Sequence, residues 1–168
     1  DKILCNPGSL VRAAPAALAD FALAVLIEEE DEDDPYHRRS DYGPFMVHEH
    51  SFSPCSPGQG PFLELLLSAP KDGLRLVRGI VEYTTQWWRS KYEDEKREFP
   101  AITVPFPSGV RHFAGDARVY AFARSEMPSS ITTSALMALE AWGHREIEAG
   151  RQLHDVMADV IGEGGSSN

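Results

Sequence analysis

The sequence predicts a mainly α-helical chain: a helical array, either α-solenoid-like or an irregular bundle, with one small β-hairpin near 102–113. Three observations lead there. Leu74, Val77, Ile80, Val81, Thr84 and Trp88 recur at spacings of three and four, the period of one helix face. Ile131, Ala135, Leu136, Leu139, Trp142 and Ile147 form a second such stripe. Between them, Ile102-Thr-Val-Pro-Phe and Val110-Arg-His-Phe flank Pro107-Ser-Gly, two apolar pieces around turn residues.

Taken in order, residues 9–27 read as one helix. Ser9 can cap it, Pro15 sits awkwardly in its second turn, and Leu18, Phe21, Leu23, Val25 and Leu26 leave few polar faces. Residues 28–60 read as a linker or long loop, first acidic, then rich in proline and glycine. Pro61 opens a short helix to Ala69, where proline is tolerated. Asp72 is expected to cap the longer helix that runs to about Tyr92. Pro105 argues for an edge strand, and a lone hairpin is marginal in water, so it is expected to lie on the helices. Asp116 is expected to cap a helix of about 117–125, and Ser129 or Ser130 one of about 131–149 ending at Gly150. A last helix covers 151–161. The resulting organisation is an N-terminal helix (1–27), the linker or loop (28–60), a helical domain with the hairpin (61–163) and a flexible tail (164–168).

The chain has 168 residues, 16 basic and 26 acidic, for a net charge of −10. Apolar residues make up 42% and charged residues 25%, an ordinary globular mixture. A chain of this size buries roughly 70% of its extended surface, enough for one core. Glu28, Glu29, Glu30, Asp31, Glu32, Asp33 and Asp34 carry −7 of the −10, leaving −3 for everything else. A broad cationic footprint for nucleic acid is absent, and an anionic membrane surface repels such a chain. The longest apolar run, Ala13 to Ile27, includes Pro15 and Asp20 and falls short of the ~20 residues a bilayer needs. The first residue is Asp, and the start reads as a cut end of a longer product. Cys5 and Cys55 lie fifty positions apart with no CxxC pair, which suits two reduced thiols of a cytoplasmic protein.

Candidate chemistry is sparse. His48-Glu49-His50 is the one cluster with metal-ligand types. On a strand His48 and His50 face one way and Glu49 the other, with His37, Asp41 or His112 as a third ligand. That arrangement supports a small metal-dependent hydrolase as an alternative function; a solvated or hydrogen-bonded loop is the plainer reading. Cys55 follows His50 and His48 by five and seven residues, a spacing that establishes no nucleophile–base pair. Gly58-Gln-Gly60 precedes a helix start, an anion-friendly place, but no Gly-Lys-Ser or Gly-Lys-Thr follows. Trp87 and Trp88, with Tyr83, Tyr92, Arg89 and Lys91, have the makings of a stacking platform, but Glu93, Asp94 and Glu95 oppose it, and core and inter-helix packing is the plainer reading. The acid run lacks the spaced ligands and glycine turn of a calcium loop; it is either a solvated linker or an acidic interaction module for a basic protein partner.

Four phrases carry a resemblance: Ser56-Pro-Gly-Gln-Gly-Pro-Phe-Leu-Glu-Leu-Leu, Gly73-Leu-Arg-Leu-Val-Arg-Gly-Ile-Val, Phe113-Ala-Gly-Asp-Ala-Arg-Val-Tyr and Ser134-Ala-Leu-Met-Ala-Leu-Glu-Ala-Trp. In this order, over roughly 42–163, they resemble the helical region of large bacterial signal-transducing (STAND-like) P-loop ATP-binding proteins, some of which resemble antiphage defence systems. The resemblance implies a cytoplasmic bacterial protein whose nucleotide-hydrolysing module lies outside this segment, with the other domains of the parent chain as its partners. It implies that this stretch is a non-catalytic helical scaffold or sensor with no cofactor of its own. The chain departs from the family in containing no nucleotide-binding motif, so no ATP-binding or catalytic residue carries over. Gly60, Asp116 and Trp142 are the expected structural positions, fixing helix starts and packing.

Overall fold

A computed structural model of the chain describes residues 2–27, 44–45, 48–93, 101–106, 109–114 and 129–162. It is mainly helical: seven α-helices and one antiparallel β-hairpin among the described residues. No helix among those residues is long and apolar enough to cross a membrane.

The helix expected over 9–27 is two helices. After α1 (Lys2–Cys5), α2 spans Leu10–Ala13 and α3 spans Pro15–Leu26. Proline inside a helix removes a donor and clashes with the carbonyl four residues back. The chain therefore leaves helical geometry at Ala14 (φ −149°, ψ 60°) and restarts with Pro15 as the first helical residue. Ser9 precedes α2, but its side chain makes no cap bond. On α3, Leu18, Ala19, Ala22 and Leu26 are buried, positions that recur at three and four.

The same proline logic shapes the next pair. α4 (Phe62–Ser68) follows Pro61, and α5 (Pro70–Glu93) starts one residue after Ala69, with Pro70 in its first turn. Asp72 is therefore not the cap; it lies inside the first turn, where it faces Arg75 at 3.5 Å. A one-residue corner forces α4 and α5 together. At Gly73 a Cβ would come within 2.6 Å of the Leu66 backbone nitrogen, so only glycine permits that approach.

α6 (Ser130–Glu148) begins as expected: Ser129 Oγ accepts from the Thr132 backbone N–H at 3.3 Å. Ile131, Ala135, Ala138 and Trp142 are buried along it, whereas Ile147 is 42% exposed, so the core ends a turn before the expected stripe does. Gly150 turns the chain with φ +95°. α7 (Leu153–Ile161) follows and buries Val156, but Leu153 and Met157 face outward.

One core runs from Leu4 to Val156. α4 packs on α2, α5 and α6, and α5 on α3, α4 and α6. Contacts that branch in this way make a bundle rather than a linear stack. From the 28–60 stretch, Phe45 packs on Tyr83 (ring centroids 5.3 Å apart) and Phe52 on Phe62 (6.1 Å); both phenylalanines are buried. The acid run 28–34, the expected helix 117–125 and the tail 164–168 lie outside the described residues.

The hairpin pairs β1 (Ala101–Phe106) with β2 (Gly109–Ala114), Thr103 opposite His112 and Pro105 opposite Val110. With two strands, both are edges, which accommodates Pro105. Thr103, Pro105, Val110 and His112 are exposed. These four share one face of the hairpin, and Val104 on the opposite face is half-buried.

Candidate functional site

His48, Glu49 and His50 do not lie on a strand. His48 precedes a 3-10 turn, Glu49–Phe52, that contains the other two, so the two-residue alternation expected for them does not apply. Phe52, the last residue of the turn, is buried against Phe62. His48 is half-buried and His50 exposed. His112 is on β2, where its Nδ1 lies 3.1 Å from Thr103 Oγ1. Among the described residues no group of three or more His, Cys, Asp or Glu could hold a metal ion; His37 and Asp41 lie outside them.

Both cysteines are free thiols and half-buried. Cys5 Sγ donates to the Ser51 carbonyl at 3.3 Å, and Gln59 Nε2 donates to the same oxygen at 2.7 Å. These bonds pin the 3-10 turn to α1 and to the loop before α4. Gly60 has φ +78°, and a Cβ there would lie 2.5 Å from Phe52 Cε1. The space in front of this glycine is filled by an aromatic ring, which leaves no room for a phosphate. Trp142 is fully buried, its indole Nε1 without a hydrogen-bond partner. Trp87 is half-buried. Asp116 and the side chain of Trp88 lie outside the described residues.

Two surface features were not singled out by the sequence reading. The first is an open cleft of about 770 Å³ between the start of α5 and the end of α7, lined by Pro70, Lys71, Leu74, Arg78 and Gly162 among others. Arg75 at its edge bonds Asp20 and donates to the Ala16 carbonyl at 3.1 Å. The hydrogen bond that Arg75 donates to Asp20 pushes the guanidinium pKa above its ordinary value, with the charge of Asp72 acting in the same direction. Arg151 bridges Glu146 at 2.9 Å and Asp159 at 2.7 Å, and those bonds raise its pKa as well. The spacing of Arg75 and Arg78, three apart on one helix, was the available signal for this cluster.

The second is an apolar groove where α1, α2 and α3 meet, lined by Ile3, Leu10, Ala14, Ala17, Leu18 and Phe21. Ile3, Leu10 and Phe21 are each more than two-fifths exposed there. The helix stripe at Phe21 was legible, but not that its outer edge stays uncovered.

No family model matches the chain, and no curated protein or solved structure does either.

Proposed function

We propose that this chain is a non-catalytic helical scaffold or sensor segment of a larger bacterial, cytoplasmic P-loop ATP-binding protein of the signal-transducing type, defence-related in some of its kin, with the other domains of that parent as its partners. The observation that carries the reading is where the resembling phrases fall. Gly60-Pro-Phe-Leu opens α4, with Phe62, Leu65 and Leu66 buried. Gly73 through Val81 forms the part of α5 that crosses α4 and α3. Ser134 through Trp142 forms the buried face of α6. Three of the four phrases thus meet at one three-helix junction, where their apolar residues serve packing. The Ile3, Leu10 and Phe21 groove supports the same reading, since uncovered apolar surface on a helical unit suits contact with a neighbouring domain.

Sequencing the reading frame on both sides of residues 1–168 tests the proposal. The expected result is a frame that continues and contains a Gly-Lys-Ser or Gly-Lys-Thr loop after a strand. A frame confined to about these residues overturns it.

A further inference from the structure

We propose that β2 is the contact edge of a homodimer: two copies of this chain pair their β2 strands antiparallel about a two-fold axis at His112, joining the two hairpins into one four-stranded sheet. The inference goes beyond the scaffold reading and does not rest on it.

It follows from which backbone groups each strand turns outward. Two residues separate Phe106 from Gly109, and Phe106 and Gly109 face each other in the ladder. A connection of that length closes on a pair that exchanges both its backbone hydrogen bonds, and such pairs then alternate along the ladder. Pro105–Val110, Thr103–His112 and Ala101–Ala114 are therefore the pairs whose backbone groups point away from the partner strand. The side-chain bond between Thr103 Oγ1 and His112 Nδ1 at 3.1 Å fits such a pair, in which opposite side chains stand closer. The two outer edges are thus unequal. On β1, Pro105 removes a donor from the outward row. On β2, Val110, His112 and Ala114 keep every donor and acceptor, with no proline or lysine to blunt the edge. Val110 and His112 are exposed, and among the described residues no third strand joins the sheet. A two-stranded sheet is marginal in water and gains from further strands.

A second β2 fits this row. With His112 on the axis, His112 faces the partner's His112 and Val110 faces the partner's Ala114, so all three outward residues are used. Centring the pairing one residue nearer the turn sets Arg111 opposite the partner's Arg111, two like charges, and leaves Ala114 out. Centring it one residue farther leaves Val110 out. With one unblunted edge per chain, pairing stops at two copies.

The test is sedimentation equilibrium of the chain from micromolar to millimolar concentration. The weight-average mass should rise from the 18.6 kDa of one chain toward twice that value and no further. His112→Lys and His112→Glu each set like charges opposite one another and should weaken association by at least about threefold. An equimolar mixture of the two variants should associate at least about threefold more tightly than either alone. Thr103→Lys removes the same Thr103–His112 side-chain bond from the β1 side and should leave association within about twofold of the parent chain; it separates a weakened hairpin from a lost edge. A chain that stays a monomer at every concentration, masses beyond the dimer, or association that the His112 variants leave unchanged overturns the proposal. So does a mixture no tighter than either variant, or a loss with Thr103→Lys as large as that with His112→Lys.

Discussion

Gly73 and Gly79 both lie on α5, six residues apart, and both meet a neighbour at 2.6 Å when given a Cβ. The neighbours differ in kind. At Gly73 it is the Leu66 backbone, held in α4; at Gly79 it is Cδ2 of Leu23, the end of a half-buried side chain. Backbone cannot step aside without moving α4, so Gly73→Ala should cost about 2–3 kcal/mol, in the range of overpacked cores. Gly79→Ala gains about 1 kcal/mol of helix propensity and loses about 0.5–1.5 kcal/mol in displacing Leu23, for a net change within about 0.5 kcal/mol. Urea midpoints at unchanged slope check both; equal losses at the two sites would refute the distinction. Neither contact was legible in the sequence, where both glycines sit in one apolar phrase. Gly60 was readable as a helix-start glycine from its place before Pro61-Phe62, but not the reason for it: a left-handed φ of +78° and the Phe52 ring against its α-carbon. That ring arrives from eight residues upstream, through a turn whose local composition reads as loop.

At the scale of elements, the legible features were those set by local chemistry. The stripe on α5, the Ser129 cap of α6 and the Gly150 turn follow from spacing and capping and stand where the sequence puts them. Prolines were the source of error. Pro15 and Pro70 each begin a helix instead of disturbing or preceding one, because a fixed φ and a missing N–H cost nothing in the first turn. Polar residues buried between elements were not legible at all. Thr84 on α5 and Thr132 on α6 meet through their hydroxyls at 2.9 Å, and Thr84 also donates to the Ile80 carbonyl at 2.8 Å. Both threonines are buried, so the pair is a polar fastening at the α5–α6 crossing. Thr84→Val leaves Thr132 with a buried, unsatisfied hydroxyl and should cost about 1–3 kcal/mol. Adding Thr132→Val removes that orphan, and the double variant should recover at least about 1 kcal/mol relative to the single one. Strictly additive losses in a double-mutant cycle would show that the two hydroxyls do not interact.

Across the whole molecule, burial is uneven, and opening should follow it. The α4–α5–α6 junction holds Phe62, Leu65, Leu76, Ile80, Ile131 and Trp142, each fully buried. The hairpin presents Thr103, Pro105, Val110 and His112 to solvent, and a two-stranded sheet has little stability of its own. α7 lies between these extremes: Val156 is buried, Arg78 grips the Asp159 carbonyl, and Arg151 ties its last turns to the end of α6, while Leu153 and Met157 stay exposed. Local opening needs only the free energy of the contacts it breaks, from near zero up to the global value. Native-state hydrogen exchange should therefore rank three tiers. Amides of Leu76–Ile80 and Ala135–Leu139 exchange slowest, at or near the global unfolding free energy. Those of α7 come next, and those of β1 and β2 are fastest, by at least about 100-fold relative to α6. Hairpin amides as protected as those of α6 would mean that β1 and β2 open only with the core, and that their exposed side chains misstate their attachment.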